Sequence, residues 1–173
     1  MAHEIKFDEL TLKDALDFAV LIEDEAQERY EEFSHQMEQH HTPESARFFR
    51  FMAKNEAKHG DDLRRKRESI FGSEPSRIDP SMLADVEAPE YEKAAAFMSP
   101  REALQVAYEA EVKAFQFFDS ALDHVTDPAV RELFEELRQE EVEHQTLVKQ
   151  EIAKLPSDPG FDPDDFVDEP VAQ

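Results

Sequence analysis

Two stretches of the chain, Pro43 to Leu63 (PESARFFRFMAKNEAKHGDDL) and Pro128 to Val148 (PAVRELFEELRQEEVEHQTLV), place a carboxylate and an imidazole inside an apolar stripe. In the later stretch Phe134, Leu137, Glu141, His144 and Val148 advance by three, four, three and four residues, which is one face of an α-helix. Phe49, Met52, Glu56, His59 and Leu63 repeat those steps, with Glu and His in the same slots. Pro43 and Pro128, Glu56 and Glu141, and His59 and His144 are all 85 residues apart, so the chain contains an internal duplication.

An ionised carboxylate on a core-facing stripe is costly unless it is neutralised or paired. Two at matched positions call for a cation, and Glu and His three residues apart on one face can offer an oxygen and a nitrogen to a single metal centre. The bare Glu-x-x-His pattern is a weak signal in an acidic chain. Glu32 with His35 and Glu38 with His41 also fit it, but both pairs lie off the apolar stripe and read as solvated surface. Two internally satisfied polar pairs would be the other reading of Glu56–His59 and Glu141–His144, and their matched repetition favours metal.

The first and third helices carry the same idea in simpler form. A helix from Thr11, its N-cap with Asp14 at the third position, to about Gln39 has the stripe Leu12, Leu16, Ala19, Glu23, Ala26, Tyr30, Phe33 and Met37, in which Glu23 is the one charge. Glu25, Glu28, Glu31 and Glu32 fall off that line as solvated face, and His40 and His41 belong to the following turn. Thr42 and Pro43 then start a second helix, to about Ser69, antiparallel to the first because so few residues connect them. Gly60 within it either permits close backbone approach or is simply tolerated, at about 1 kcal/mol relative to Ala. From Phe71 to Ser99 the chain is broken by Pro75, Pro80 and Pro89, with a short helix possible over Glu90 to Met98, and is long enough to cross a bundle. Ser99, Pro100 and Glu102 form a capping-box start for helix three, whose stripe is Leu104, Ala107, Glu111, Ala114, Phe118, Ala121 and Val125. Glu23 and Glu111 are 88 residues apart, as are their apolar neighbours. Asp127 and Pro128 begin helix four, which extends to about Leu155.

The fold expected is all-α, a four-helix bundle with a long crossover between helices two and three, over residues 1–155, followed by an acidic, proline-rich tail over residues 156–173. Six ligands meet at mid-bundle: Glu23, Glu56, His59, Glu111, Glu141 and His144. Four carboxylates balance two divalent ions, which makes their burial tolerable. By the duplication, Glu56 and Glu141 would bridge and Glu23 and Glu111 would be terminal ligands. Oxygen donors with one imidazole per ion suit iron or manganese better than copper(I) or structural zinc. Tyr30 and Tyr108 are each placed either to reach a ligand oxygen or to pack half-buried.

With no cysteine among 173 residues, disulfides, thiolate sites and iron–sulfur clusters are excluded. A formal net charge of −23 argues against nucleic acid as a partner and favours cations, though acidity also serves solubility. The N-terminus, MAHEIKFDEL, lacks a basic segment followed by an apolar one, and no apolar run approaches a membrane span. A cytoplasmic location and no membrane partner are the expectations.

Glu23 with Ala26 and Tyr30, Glu56 with His59, Glu111, and Glu141 with His144 resemble the ligand set of the ferritin-like superfamily, most closely its rubrerythrin branch, over about residues 10 to 155. The resemblance implies a non-haem di-iron centre, with manganese as an alternative, that reacts with hydrogen peroxide or dioxygen in peroxide scavenging or iron oxidation. The same six residues would then be the catalytic ones. The alternative within the resemblance is iron storage or delivery, with the protein as cargo of a shell. Rubrerythrins usually add a rubredoxin domain with four cysteines, so this chain is similar to the shorter versions and would need an external electron donor. They also carry a further Glu one turn beyond the helix-three ligand, where Ala114 stands here. Bacterioferritin holds haem through a Met after the first motif's Glu, where Ala57 stands, so no haem is expected.

Phe48, Phe51, Phe115 and Phe117 lie off the inner stripes and point to a second buried face, hence a homodimer, in which helix pairs could be exchanged through the crossover. The tail has four prolines, six acidic residues and no basic one, and reads as unstructured, with Phe161 and Phe166 able to dock on a partner or shell.

Overall fold

A computed structural model of the chain describes residues 6–83 and 99–156. The expected short helix at Glu90 to Met98 and the expected tail lie outside the described residues, apart from Pro156. Four helices dominate: α1 (Leu12–Gln39), α2 (Pro43–Phe71), α3 (Pro100–Leu122) and α4 (Pro128–Lys154), with short 3-10 turns at Phe7–Glu9 and Pro80–Leu83. Among the described residues there is no strand, and no helix is long and apolar enough to cross a membrane.

Local chemistry explains where the helices begin. The Thr11 hydroxyl accepts from the Asp14 amide at 3.2 Å while the Asp14 carboxylate accepts from the Thr11 amide at 3.1 Å, so two otherwise orphaned donors are satisfied. Ser99 and Glu102 repeat this capping box on α3, and the Asp127 carboxylate accepts from the amides of Ala129 and Val130 on α4. Thr42 departs from expectation. Its hydroxyl does not cap α2 but donates backwards to the Met37 carbonyl at 2.9 Å, because the turn is so tight that the last carbonyls of α1 are its nearest acceptors.

α1 packs along α2 and α3 along α4, and the two hairpins close face to face. Their apolar residues form two clusters rather than one. The first gathers Leu16, Phe18, Ile22, Leu63, Phe118, Leu133, Phe134 and Leu137; the second gathers Tyr30, Phe33, Met37, Phe49, Met52, Leu104 and Val148. Every residue of the α1 and α3 stripes is buried except the half-buried Leu12. The polar positions 23, 56, 59, 111, 141 and 144 occupy the layer between the two clusters.

Gly60 lies in that layer. A Cβ there would stand 3.5 Å from the Cβ of Glu23, an ordinary contact, and 3.3 Å from Nη1 of Arg64, the far end of a flexible side chain, so the glycine is tolerated at this position rather than required by the approach of α1 to α2.

The aromatic residues off the inner stripe divide. Phe117 is half-buried and packs against the core, touching Phe7, Phe18, Phe118 and Phe134, because the 3-10 turn before α1 folds over it. Phe51 is 48% exposed, and Phe48 and Phe115 are half-buried.

Candidate metal centre

Each helix delivers its polar residues to the middle layer through the register that buries its stripe. Glu23, Glu56, Glu111, Glu141 and His144 are all buried, and His59 is half-buried. The two imidazoles lie parallel, 5.5 Å apart between ring centroids. Glu56 sits against both: its Oε1 is 3.3 Å from His144 Nδ1 and its Oε2 is 3.9 Å from His59 Nδ1. His144 also faces Glu111 at 3.5 Å and Glu141 at 3.9 Å, and His59 faces Glu23 at 3.9 Å. All six residues singled out from the sequence therefore meet in one layer. Glu32, His35, Glu38, His40 and His41 are not in it and lie toward the outside.

Of the two tyrosines, Tyr30 reaches the layer and donates its hydroxyl to Glu111 Oε1. Tyr108 is half-buried at the flank, with the Lys149 ammonium 4.9 Å over its ring.

Glu140 is the residue the stripe did not reveal. It lies one position from Glu141, on the border of the buried face, yet its Oε2 is 3.8 Å from His59 Nδ1. The one available signal was its spacing of three from Leu137 and four from His144, which is also helical.

Burial pushes the Glu23 carboxyl up to about 7. Burial and the neighbouring Glu111 charge hold Glu141 well above the usual carboxylate range. Burial acts on Glu111 in the same direction, but His144, Glu141 and the Tyr30 hydroxyl outweigh it and bring Glu111 down to about 2. His144 is raised because Glu111 overcomes the effect of its burial, whereas burial and the neighbouring His144 lower His59. Glu111 and His144 thus favour each other's charged forms, while burial favours the neutral form of His59.

The arrangement fits divalent ions. Metal–ligand bonds of about 2.0–2.2 Å set donor atoms on one ion about 3–4 Å apart. The donor atoms of Glu56, His59 and His144, those of Glu23, His59 and Glu140, and those of Glu111, Glu141 and His144 each lie within 4.8 Å of one another. The carboxylates of Glu23, Glu56 and Glu140 stand 3.8–3.9 Å from His59 Nδ1, beyond a hydrogen bond. The buried Nδ1 of His59 accordingly has no hydrogen-bond partner, as expected of a lone pair facing an ion's position.

The rubrerythrin family profile matches residues 14–152, which includes most of α1 and α4, all of α2 and α3, and every residue of this layer. The chain belongs to the rubrerythrin family. Among solved structures, an uncharacterised conserved protein from Magnetospirillum magnetotacticum superposes with a TM-score of 0.73 at 29% identity, covering 86% of this chain and 98% of that one. No curated protein is similar enough to count as a relative. This rubrerythrin-family bundle is all-α and ferritin-like, and its carboxylate and imidazole groups are compatible with a metal site.

Proposed function

We propose that this protein is a non-haem di-iron carboxylate protein that oxidises ferrous iron with hydrogen peroxide or dioxygen. Glu23, Glu56, His59, Glu111, Glu141 and His144 would hold the two ions. Glu56 carries the reading: a carboxylate 2% exposed, whose two oxygens face two parallel imidazoles, is placed to join two cations. Membership of the rubrerythrin family and the donor chemistry favour iron, with manganese as the alternative.

The bound metal supplies the electron transfer. The chain's own residues would neutralise the ions' charge and orient the ligands. Tyr30 fixes the Glu111 carboxylate by donating to it, and the two apolar clusters keep water away on either side. With no cysteine among these 173 residues, peroxidase turnover would draw its reducing equivalents from a donor outside them. Exposed Phe51 and half-buried Phe48 supply the face of a homodimer.

The test combines stoichiometry and turnover. Anaerobic titration with ferrous iron saturates at two ions per chain, and Glu56→Ala binds neither tightly. Consumption of many peroxide equivalents per site with an external reductant establishes a peroxidase. Stoichiometric iron oxidation with mineral formation establishes storage or delivery instead, and absence of iron binding removes the proposal.

A further inference from the structure

The duplication that builds the layer is broken where it matters for the ions. Tyr30, which supports Glu111, has Phe118 as its counterpart 88 residues on, so no tyrosine supports Glu23 from the matching place. Glu140, which faces His59, has Asn55 as its counterpart 85 residues back, so no such carboxylate faces His144. Exposure follows the same division. The side chains of His144 and Glu111 are each 6% exposed, whereas those of His59 and Glu140 are 23% and 38% exposed.

A cleft of roughly 150 Å³ between α2 and α4 opens onto His59. Leu63, Leu133 and Leu137 line it together with Asp62, Lys66, Glu136 and Glu140. Three acids against one lysine make its mouth electronegative, and Lys66 lies toward Glu136 at 3.9 Å. A cation entering there meets Glu140 before it meets Glu23 or Glu56.

Taking the di-metal reading as given, we infer that Glu140 is a seventh ligand, serving only the ion on the His59 side and making that ion the exchangeable one of the pair. Its oxygen belongs to the same group of donors as those of Glu23 and His59, all within 4.8 Å of one another. Three protein donors beside the shared Glu56 complete one side without Tyr30-type support, and the third of them is reachable from solvent. The other ion is enclosed by Glu111, Glu141 and His144, all buried.

Manganese(II) is the probe for affinity, by equilibrium dialysis and electron paramagnetic resonance of the full chain; cobalt(II) absorption reads the coordination. The wild-type protein binds two manganese ions with separable affinities. Glu140→Gln keeps the tighter ion, weakens the other about tenfold or more, and changes the cobalt spectrum of the second equivalent only. Glu136→Gln, at the lip of the same cleft, removes the same charge and leaves affinities and spectrum near wild type. Two ions bound by Glu140→Gln with unchanged affinities and spectrum would overturn the role of Glu140 and leave the di-metal site standing. Equal weakening by Glu136→Gln would also overturn it, by making charge rather than ligation the cause. A wild-type chain that binds no manganese, cobalt or iron defeats the underlying reading instead.

Discussion

Tyr30 and Phe118 occupy matching places on α1 and α3, and the single hydroxyl that separates them decides which terminal carboxylate is held. Tyr30 is 1% exposed and donates to Glu111, an ionised acceptor, so this hydrogen bond is of the charge-assisted kind. Tyr30→Phe keeps the ring in its contacts with Phe49 and removes only the donor. We expect it to lower stability by about 1–2 kcal/mol, read from urea unfolding, with the number of bound ions unchanged. Tyr108→Phe serves as the comparison and should leave unfolding near wild type, since its ring and not its hydroxyl meets Lys149. The six stripe residues were legible from sequence because each shares a helical face with core apolar residues, and burial of that face leaves no choice of direction. Glu140 was not, because one position off the stripe its surroundings depend on how α2 and α4 cross. Sequence placed both tyrosines equally well for the site, and only the packing of the hairpins separates them.

At the level of the helices, the ends were more readable than the turns. Thr11 with Asp14 and Ser99 with Glu102 satisfy each other locally, so residue type and spacing suffice to locate both starts. The α1–α2 turn is different. His41 adopts φ 57°, its amide bonds back to Glu38, and the Thr42 amide bonds to Met37, the pattern of a helix ended by a left-handed residue. Glycine usually fills that place because a side chain there costs about 1–2 kcal/mol. The neighbouring Thr42 hydroxyl is drawn into the same closure, which is why its apparent N-cap role failed. His41 is exposed and no ligand, so His41→Gly should stabilise the protein by about 1 kcal/mol, less what glycine adds to the freedom of the unfolded chain. A higher thermal midpoint with unchanged metal binding is the expected outcome; a lower midpoint would mean the imidazole makes a stabilising contact that outweighs the backbone conformation.

Across the whole molecule, the duplicated hairpins need a long connection, and its first part is tied down by charge. Arg67 of α2 bonds Asp17 of α1 at 2.7 Å and the Gly72 carbonyl at 2.7 Å; Lys13 of α1 donates to the Pro75 carbonyl at 2.7 Å. Arg77 then grips Asp14 with two hydrogen bonds, at 2.7 and 2.6 Å. Asp14 thus serves both the start of α1 and the course of the crossover, two roles of which sequence showed only the first, since residues 14 and 77 have no local relation. Burial works to raise the Asp14 carboxyl, but Arg77 and Thr11 outweigh it and hold the group below the ordinary carboxylate value. A carboxyl depressed in the folded state contributes stability above its unfolded pKa of about 3.9 and loses it as the pH falls through the folded value. Asp14→Asn should therefore be less stable than wild type at pH 7, by about 1 kcal/mol for the charge lost beside Arg77 and the start of α1. The gap should be constant down to about pH 5 and should close progressively below about pH 4, as the wild-type carboxylate itself becomes protonated. Urea unfolding of both proteins across that range measures it. A gap that persists undiminished to about pH 2, below the range in which the carboxylate titrates, would show that the substitution disturbs packing rather than removing a charge, and would leave the strap along α1 held by Arg67 and Lys13 alone.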